Sequence, residues 1–190
     1  MNNTLKQTII GFDMDGVIID LGPKKIELAR ERGFALSPRD TQSDLLKQVL
    51  PETVRREIQK ILYNEPEITL SAKIMPGVTE ALETLTQLGI PFFLISRRKK
   101  YLPAIELLIE QELYPKYFDE SNTFFVESAK EKNSTAAELD VTHFLDDELD
   151  VIEILDSVPN KILFDPVDAF PEWNATARIK HWDELLRNIL

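Results

Sequence analysis

The chain has 190 residues, 43% of them hydrophobic, and its 22 basic and 33 acidic side chains leave a net charge of −11. Length and apolar content suit one core with a modest insertion, and they exclude a disordered chain. The acidic balance opposes sequence-independent binding to duplex phosphate, and the lack of cysteine excludes disulfides, zinc–thiolate sites and a thiol nucleophile. The first apolar run, Thr8 to Phe12, reads as a buried strand and leads straight into Asp13-Met14-Asp15-Gly16. Gly22 to Met75 then shows no strand pattern. It carries three amphipathic stretches instead: Pro23 to Arg32, a second opened by Ser37-Pro38 and running to Leu50, and Pro51 to Tyr63. Pro66 and Pro76-Gly77 return the chain to an alternation of helix and strand. Helical spacing covers Val78 to Leu88, Leu102 to Leu113, Asn133 to Leu139 and Leu149 to Leu155. Strand-length apolar runs cover Ile90 to Ile95, Thr123 to Val126, Thr142 to Leu145 and Lys161 to Phe164. A last helix is expected over Asp183 to Leu190. Such alternation predicts an α/β fold, a Rossmann-like parallel sheet with helices on both faces.

Polar chemistry gathers where these strands end. Asp13 and Asp15 are two residues apart, so in an extended segment their carboxylates share a face and repel unless a cation or a proton intervenes. Gly16 lets the backbone turn sharply and approach a ligand. The second run ends in Ser96, followed by Arg97, Arg98, Lys99 and Lys100; the fourth ends in Asp146-Asp147-Glu148. Lys132 stands 14 residues before Asp146, near the start of the intervening helix. Ligands of open parallel sheets collect at these carboxyl ends.

In that order, Asp13-x-Asp15, Ser96, Lys132 and Asp146-Asp147 resemble the four motifs of the haloacid dehalogenase superfamily, over a span from Thr8 to Asp150. The resemblance implies a Rossmann-like core, residues 1–21 and 76–190, with a small helical cap, residues 22–75, inserted after the first strand. It also implies a Mg²⁺-dependent phosphomonoester hydrolase working through an aspartyl-phosphate on a small phosphorylated metabolite, of the nucleotide or sugar phosphate class. By resemblance, Asp13, the main-chain carbonyl of Asp15, and Asp147 ligate Mg²⁺, and Asp146 shares the metal or orients its waters.

The residue chemistry suits these roles. Asp13 is the candidate nucleophile, since a carboxylate can attack a phosphoryl group and divide one hard step into two. Anion attacking anion needs cations, which Mg²⁺ and Lys132 supply. Ser96 offers a hydroxyl to a phosphate oxygen. Asp15 protonates the leaving oxygen and later deprotonates water; a dehalogenase, which attacks carbon, needs no such acid.

Several assignments stay open. Lys130 competes with Lys132 for the catalytic role. Arg97 and its neighbours either grip substrate or form a solvated loop, and the residue 22–75 helices are either a cap or a cover for the sheet. Asp150 caps its helix or joins the site. His143, His181, Trp173 and Trp182 read as packing residues. A phosphomutase, or a binding protein that keeps the fold, is the alternative to a hydrolase. Oligomeric state is open. Met1 to Gln7 lacks a signal-peptide stretch and no run reaches the ~18 apolar residues of a membrane span, so a soluble, cytoplasmic chain without membrane or nucleic-acid partners is expected.

Overall fold

A computed structural model of the chain describes residues 7–189; most of the N-terminal stretch discussed above, and Leu190, lie outside the described residues. Its centre is β1 (Ile10–Phe12), three residues with no exposed side chain. A strand this short and wholly buried needs partners on both sides, and it has them. β1 runs parallel to a strand at Phe92–Ser96 on one side and to one at His143–Asp146 on the other.

After β1 the chain makes a two-residue strand, β2 (Ile19–Asp20), and enters four helices. These are α1 (Gly22–Glu31), α2 (Ser43–Val49), α3 (Glu52–Asn64) and α4 (Pro66–Leu70). Proline near the start of α1 and α4 presets the first turn. The stretch expected to start at Ser37-Pro38 and run to Leu50 is divided. Pro38–Thr41 forms a 3₁₀ turn in which Ser37 donates from both N and Oγ to Asp40, and α2 starts afresh beyond Gln42. The chain then returns through β3 (Lys73–Ile74), a strand the apolar pattern did not show. β2 and β3 pair antiparallel, Ile19 with Ile74 and Asp20 with Lys73. The entry and exit of the helical insertion are thereby laced together beside Asp13 and Asp15.

The remaining elements alternate. In order they are α5 (Val78–Gln87), β4 (Phe92–Ser96), α6 (Tyr101–Glu110), β5 (Thr123–Phe125), α7 (Ala129–Glu138), β6 (His143–Asp146), α8 (Leu149–Ile154), β7 (Asn160–Phe164), β8 (Ala177–Ile179) and α9 (Leu185–Ile189). The sheet order is β5-β4-β1-β6-β7-β8, all parallel, with helices around it. β8 was not expected, and the C-terminal helix is shorter than Asp183 to Leu190, because a 3₁₀ turn occupies Trp182–Glu184. α7 begins four residues before the expected Asn133, where Ser128 caps it by accepting from Glu131 N. From β1 the chain builds β4 and β5 to one side, then crosses to build β6 to β8 on the other. The direction therefore switches at β1, where the ends of β4, β1 and β6 lie side by side.

Apolar residues of the insertion and of the sheet form one continuous buried cluster, with Leu28, Leu46, Ile58 and Leu62 joining Phe12, Leu94 and Leu145. Trp182 holds the other flank. Its indole is 1% exposed, packs on Phe12 and Phe164, and donates from Nε1 to Val17 O at 3.0 Å, which ties the C-terminal segment to the loop after Asp15. The packing reading of Trp182 thus holds, with a hydrogen bond added. Trp182→Ala should destabilise the fold by about 3–5 kcal/mol, the usual cost of emptying a buried Trp site. Urea denaturation measures it, and a loss below about 1 kcal/mol would mean that the indole is not part of the core.

Candidate active site

Lys132 is the fourth residue of α7 and shares its buried face with Ala136, one turn on. Its side chain is fully buried, and Nζ donates to Asp13 Oδ1 and to Asp146 Oδ2, both at 2.7 Å. Lys130 is exposed, so it is Lys132 that the helix aims at the strand ends. Asp13 follows β1 and is fixed by its own N–H donating to Leu145 O at 3.0 Å. Asp146 closes β6, and its second oxygen accepts from Glu148 N at 3.0 Å.

Asp147 completes the group. Carboxylate oxygens of Asp13, Asp146 and Asp147 lie within 4.8 Å of one another, and all three residues are buried. One ammonium facing three carboxylates leaves negative charge in excess. Asp147 Oδ1 is buried and has no hydrogen-bond partner. A buried oxygen left unpaired is costly, and an all-oxygen carboxylate set suits a hard divalent cation. The residues present therefore fit the metal that the motif resemblance implies. Gly16 makes room: at φ +84° it sits so close to Asp147 that a Cβ would fall 2.3 Å from Oδ2. Its lack of a side chain is thus explained by the Asp147 carboxylate.

Asp15 takes a different partner. Arg98 donates to it through Nε at 2.8 Å and Nη2 at 2.6 Å, a bidentate pair that engages both oxygens. Both of its carboxylate oxygens are thus taken by Arg98 and it is not part of the Asp13, Asp146 and Asp147 group, so any share in a metal falls to its main-chain carbonyl. Arg98 is 5% exposed, and Tyr63 of α3 stacks on its guanidinium at 4.7 Å. The solvated-loop reading is therefore corrected for this one member of the basic run. Arg98 and Tyr63 are site residues that the sequence reading did not single out. A signal existed: Ser96 and Arg98 are two apart and so share a face of the extended segment.

Ser96 is buried at the end of β4, next to β1. Arg97 forms an ion pair with Glu148 above the cluster. Asp150 lies outside the group, paired with Lys47 of α2 at 2.9 Å. The insertion also touches the site floor, where Gln42 donates to Asp147 O. His143 is half-buried and accepts or donates at 2.9 Å to Thr142 Oγ1; burial holds its imidazole below the usual range.

Burial pushes the Asp13 carboxyl up to about 7, against the opposing pull of Lys132, and pushes Asp146 up and Asp147 well up. The folded state then binds protons that the unfolded chain, at ordinary carboxylate values, has released. The contribution of these groups to the stability of the metal-free protein is accordingly full at low pH and is lost as pH rises from about 4 towards 7. The Lys132 ammonium is pushed up by Asp13 and Asp146 against its burial, and stays charged across this range. In EDTA the Tm should drop between pH 5 and 8. A divalent cation, which binds the ionised form, should recover the loss, and recover more at the upper end. Asp147→Asn should flatten the dependence. Thermal scans with and without Mg²⁺ check this, and a Tm at pH 8 indifferent to both cation and variant would contradict it.

No protein-family model and no curated protein sequence matches the chain. Solved structures do. A hydrolase of haloacid dehalogenase family IA, variant 3, from Entamoeba histolytica superposes with a TM-score of 0.65 at 15% identity, over 94% of this chain and 95% of that one. A family hydrolase from Deinococcus radiodurans, solved with bound phosphate and sodium, gives 0.61 at 14% identity, over 94% and 93%. A candidate β-phosphoglucomutase from Thermotoga maritima gives 0.62 at 20% identity, over 97% and 100%. Likeness at these identities establishes the fold. The resemblance read from the four motifs thus meets, over nearly the whole chain, the architecture of haloacid dehalogenase superfamily structures.

Proposed function

We propose that the chain is a haloacid dehalogenase superfamily hydrolase that removes a phosphoryl group from a small phosphomonoester, with Mg²⁺ as its cofactor. One observation carries this reading: a buried lysine bridges the candidate nucleophile Asp13 and Asp146, while a buried oxygen of Asp147 beside them has no partner. Asp13, Asp146 and Asp147, with the main-chain carbonyl of Asp15, would hold the metal. When bound, it supplies positive charge against the phosphate oxygens.

The protein's own groups do the rest. Asp13 Oδ attacks phosphorus, and the bond from phosphorus to the leaving oxygen breaks as the aspartyl-phosphate forms. Lys132 keeps Asp13 in line and offsets the charge of the approaching phosphate. Ser96 Oγ donates to a phosphoryl oxygen, with main-chain N–H groups of the same loop beside it. Asp15 gives the leaving oxygen a proton, then takes one from the water that attacks the aspartyl-phosphate. To carry that proton, Asp15 must turn from Arg98, because N–H donors face both of its oxygens. Residues 22–75 act as a cap. Its α3 reaches Arg98 through Tyr63, and its two ends are laced by β2 and β3, so cap position and Asp15 are mechanically linked. Closure excludes water from the phosphoryl group.

Turnover of a phosphomonoester panel with and without Mg²⁺ tests the reading. Asp13→Asn should abolish turnover, an amide being no nucleophile. Asp15→Asn should slow alkyl phosphates far more than aryl phosphates, whose leaving groups depart without a proton. Near wild-type kcat for purified Asp13→Asn would refute the covalent route. Release of inorganic phosphate distinguishes hydrolysis from a mutase, which returns the phosphoryl group to substrate.

A further inference from the structure

Beside the acidic cluster lies a groove of about 430 Å³ between α3 and the loop after β4. Arg56, Lys60, Arg97, Arg98, Lys99 and Lys100 line it, with Gln59, Tyr63 and Asn64 as the other lining residues. In the whole chain only 22 of 190 residues are Lys or Arg, and acidic residues outnumber them. Six of the nine lining residues are cationic and none is a carboxylate, so basic side chains are concentrated at this one place. Arg56 and Arg97 have acidic partners outside the lining, Glu52 and Glu148. Lys60, Lys99 and Lys100 are exposed.

Arg98 joins this groove to the reacting groups. It is 5% exposed, its Nε and Nη2 hold Asp15, and its Nη1 is buried with no partner. A buried guanidinium with a spare donor, at the head of a cationic groove, is built to receive an anion. Tyr63 holds the guanidinium plane from the α3 side. An anion seated there would lie within one small molecule's reach of Asp13, because the same arginine touches Asp15, two residues on.

We infer that the substrate carries a second phosphate group, which the groove binds while the first sits over Asp13. This rests on the phosphoryl-transfer reading and names the substrate class for it: a small bisphosphorylated compound. A multi-cation groove matches a dianion better than a single carboxylate, and its volume leaves ample room for a phosphate group.

Isothermal titration of the full chain carrying Asp13→Asn, in Mg²⁺, tests the inference without needing turnover. The probes are short alkyl monophosphates, the matched α,ω-bisphosphates and the matched ω-carboxyalkyl phosphates. The best bisphosphate should bind at least about ten-fold tighter than its monophosphate, the equivalent of one strong added contact. It should also bind tighter than the carboxylate. Adding Lys60→Glu and Lys100→Glu should erase the advantage, while a thermal scan confirms that these exposed changes leave the fold intact. Should that pair unfold the chain, Lys60→Ala with Lys100→Ala should reduce the advantage in the same direction. Equal binding of mono- and bisphosphates, equal gain from the carboxylate, or an advantage that survives the groove substitutions would each overturn the inference. Loss of the hydrolase reading would show separately, as absent turnover by the unsubstituted chain.

Discussion

A single buried ammonium holds this site together. Lys132 lies under the sheet ends with Asp13 and Asp146 at 2.7 Å on either side, and no solvent reaches it. Taking such charges out of water is costly, and removing one partner of a buried pair typically costs about 3–5 kcal/mol. The strand order β4-β1-β6 places the two carboxylates next to each other, and α7 lowers the lysine between them. Charge balance then fails by design. Asp147 adds a third carboxylate whose outer oxygen is buried and unpaired, so the arrangement is stable only with a proton or a second cation in place. The same imbalance that destabilises the bare site at neutral pH makes it receptive to a metal.

The two aspartates of the first motif live in different surroundings, although they are two residues apart. Asp13 faces Lys132 and the buried carboxylates. Asp15 faces Arg98 in a bidentate pair that is backed by Tyr63 from the helical insertion. Like groups in unlike environments can take unlike roles. The chain reaches this separation by placing the cation of one on a sheet-packed helix and the cation of the other on the loop beneath α3. A protein of net charge −11 thus sets a buried lysine among its site carboxylates and gathers further basic side chains along the groove beside them.

Much of the fold was legible because parallel strands buried on both faces read as unbroken apolar runs. Thr8 to Phe12, Thr142 to Leu145 and Lys161 to Phe164 each contain or overlap an observed strand. β8 was not legible: three residues, Ala177–Ile179, are too few for alternation to show, and Asp165 fixes the segment through hydrogen bonds to Ala169 N, Phe170 N and Arg178. β2 and β3 have two residues each and exist only as a pair. At the site, the convergence of Asp13, Lys132, Asp146 and Asp147 was legible from strand-end position and spacing. The choice of Lys132 over Lys130 was resolved by which helix face packs on the sheet. Arg98 was masked by a run of four basic residues, in which its two-residue spacing from Ser96 was the one available sign that it shares the buried face. Tyr63 was unreadable, because its contact joins segments 35 residues apart, Tyr63 to Arg98.

In the proposed route an Asp13 carboxylate oxygen attacks phosphorus in a site completed by a cation between the strand ends. A crystal structure of the chain grown with Mg²⁺ and beryllium fluoride addresses it most directly. The expected result is trifluoroberyllate attached to an Asp13 carboxylate oxygen, with Ser96 and Lys132 on its fluorines and a cation shared by Asp13 and Asp147. Beryllium fluoride bound away from Asp13, or a cation absent from Asp147 at saturating Mg²⁺, would contradict it.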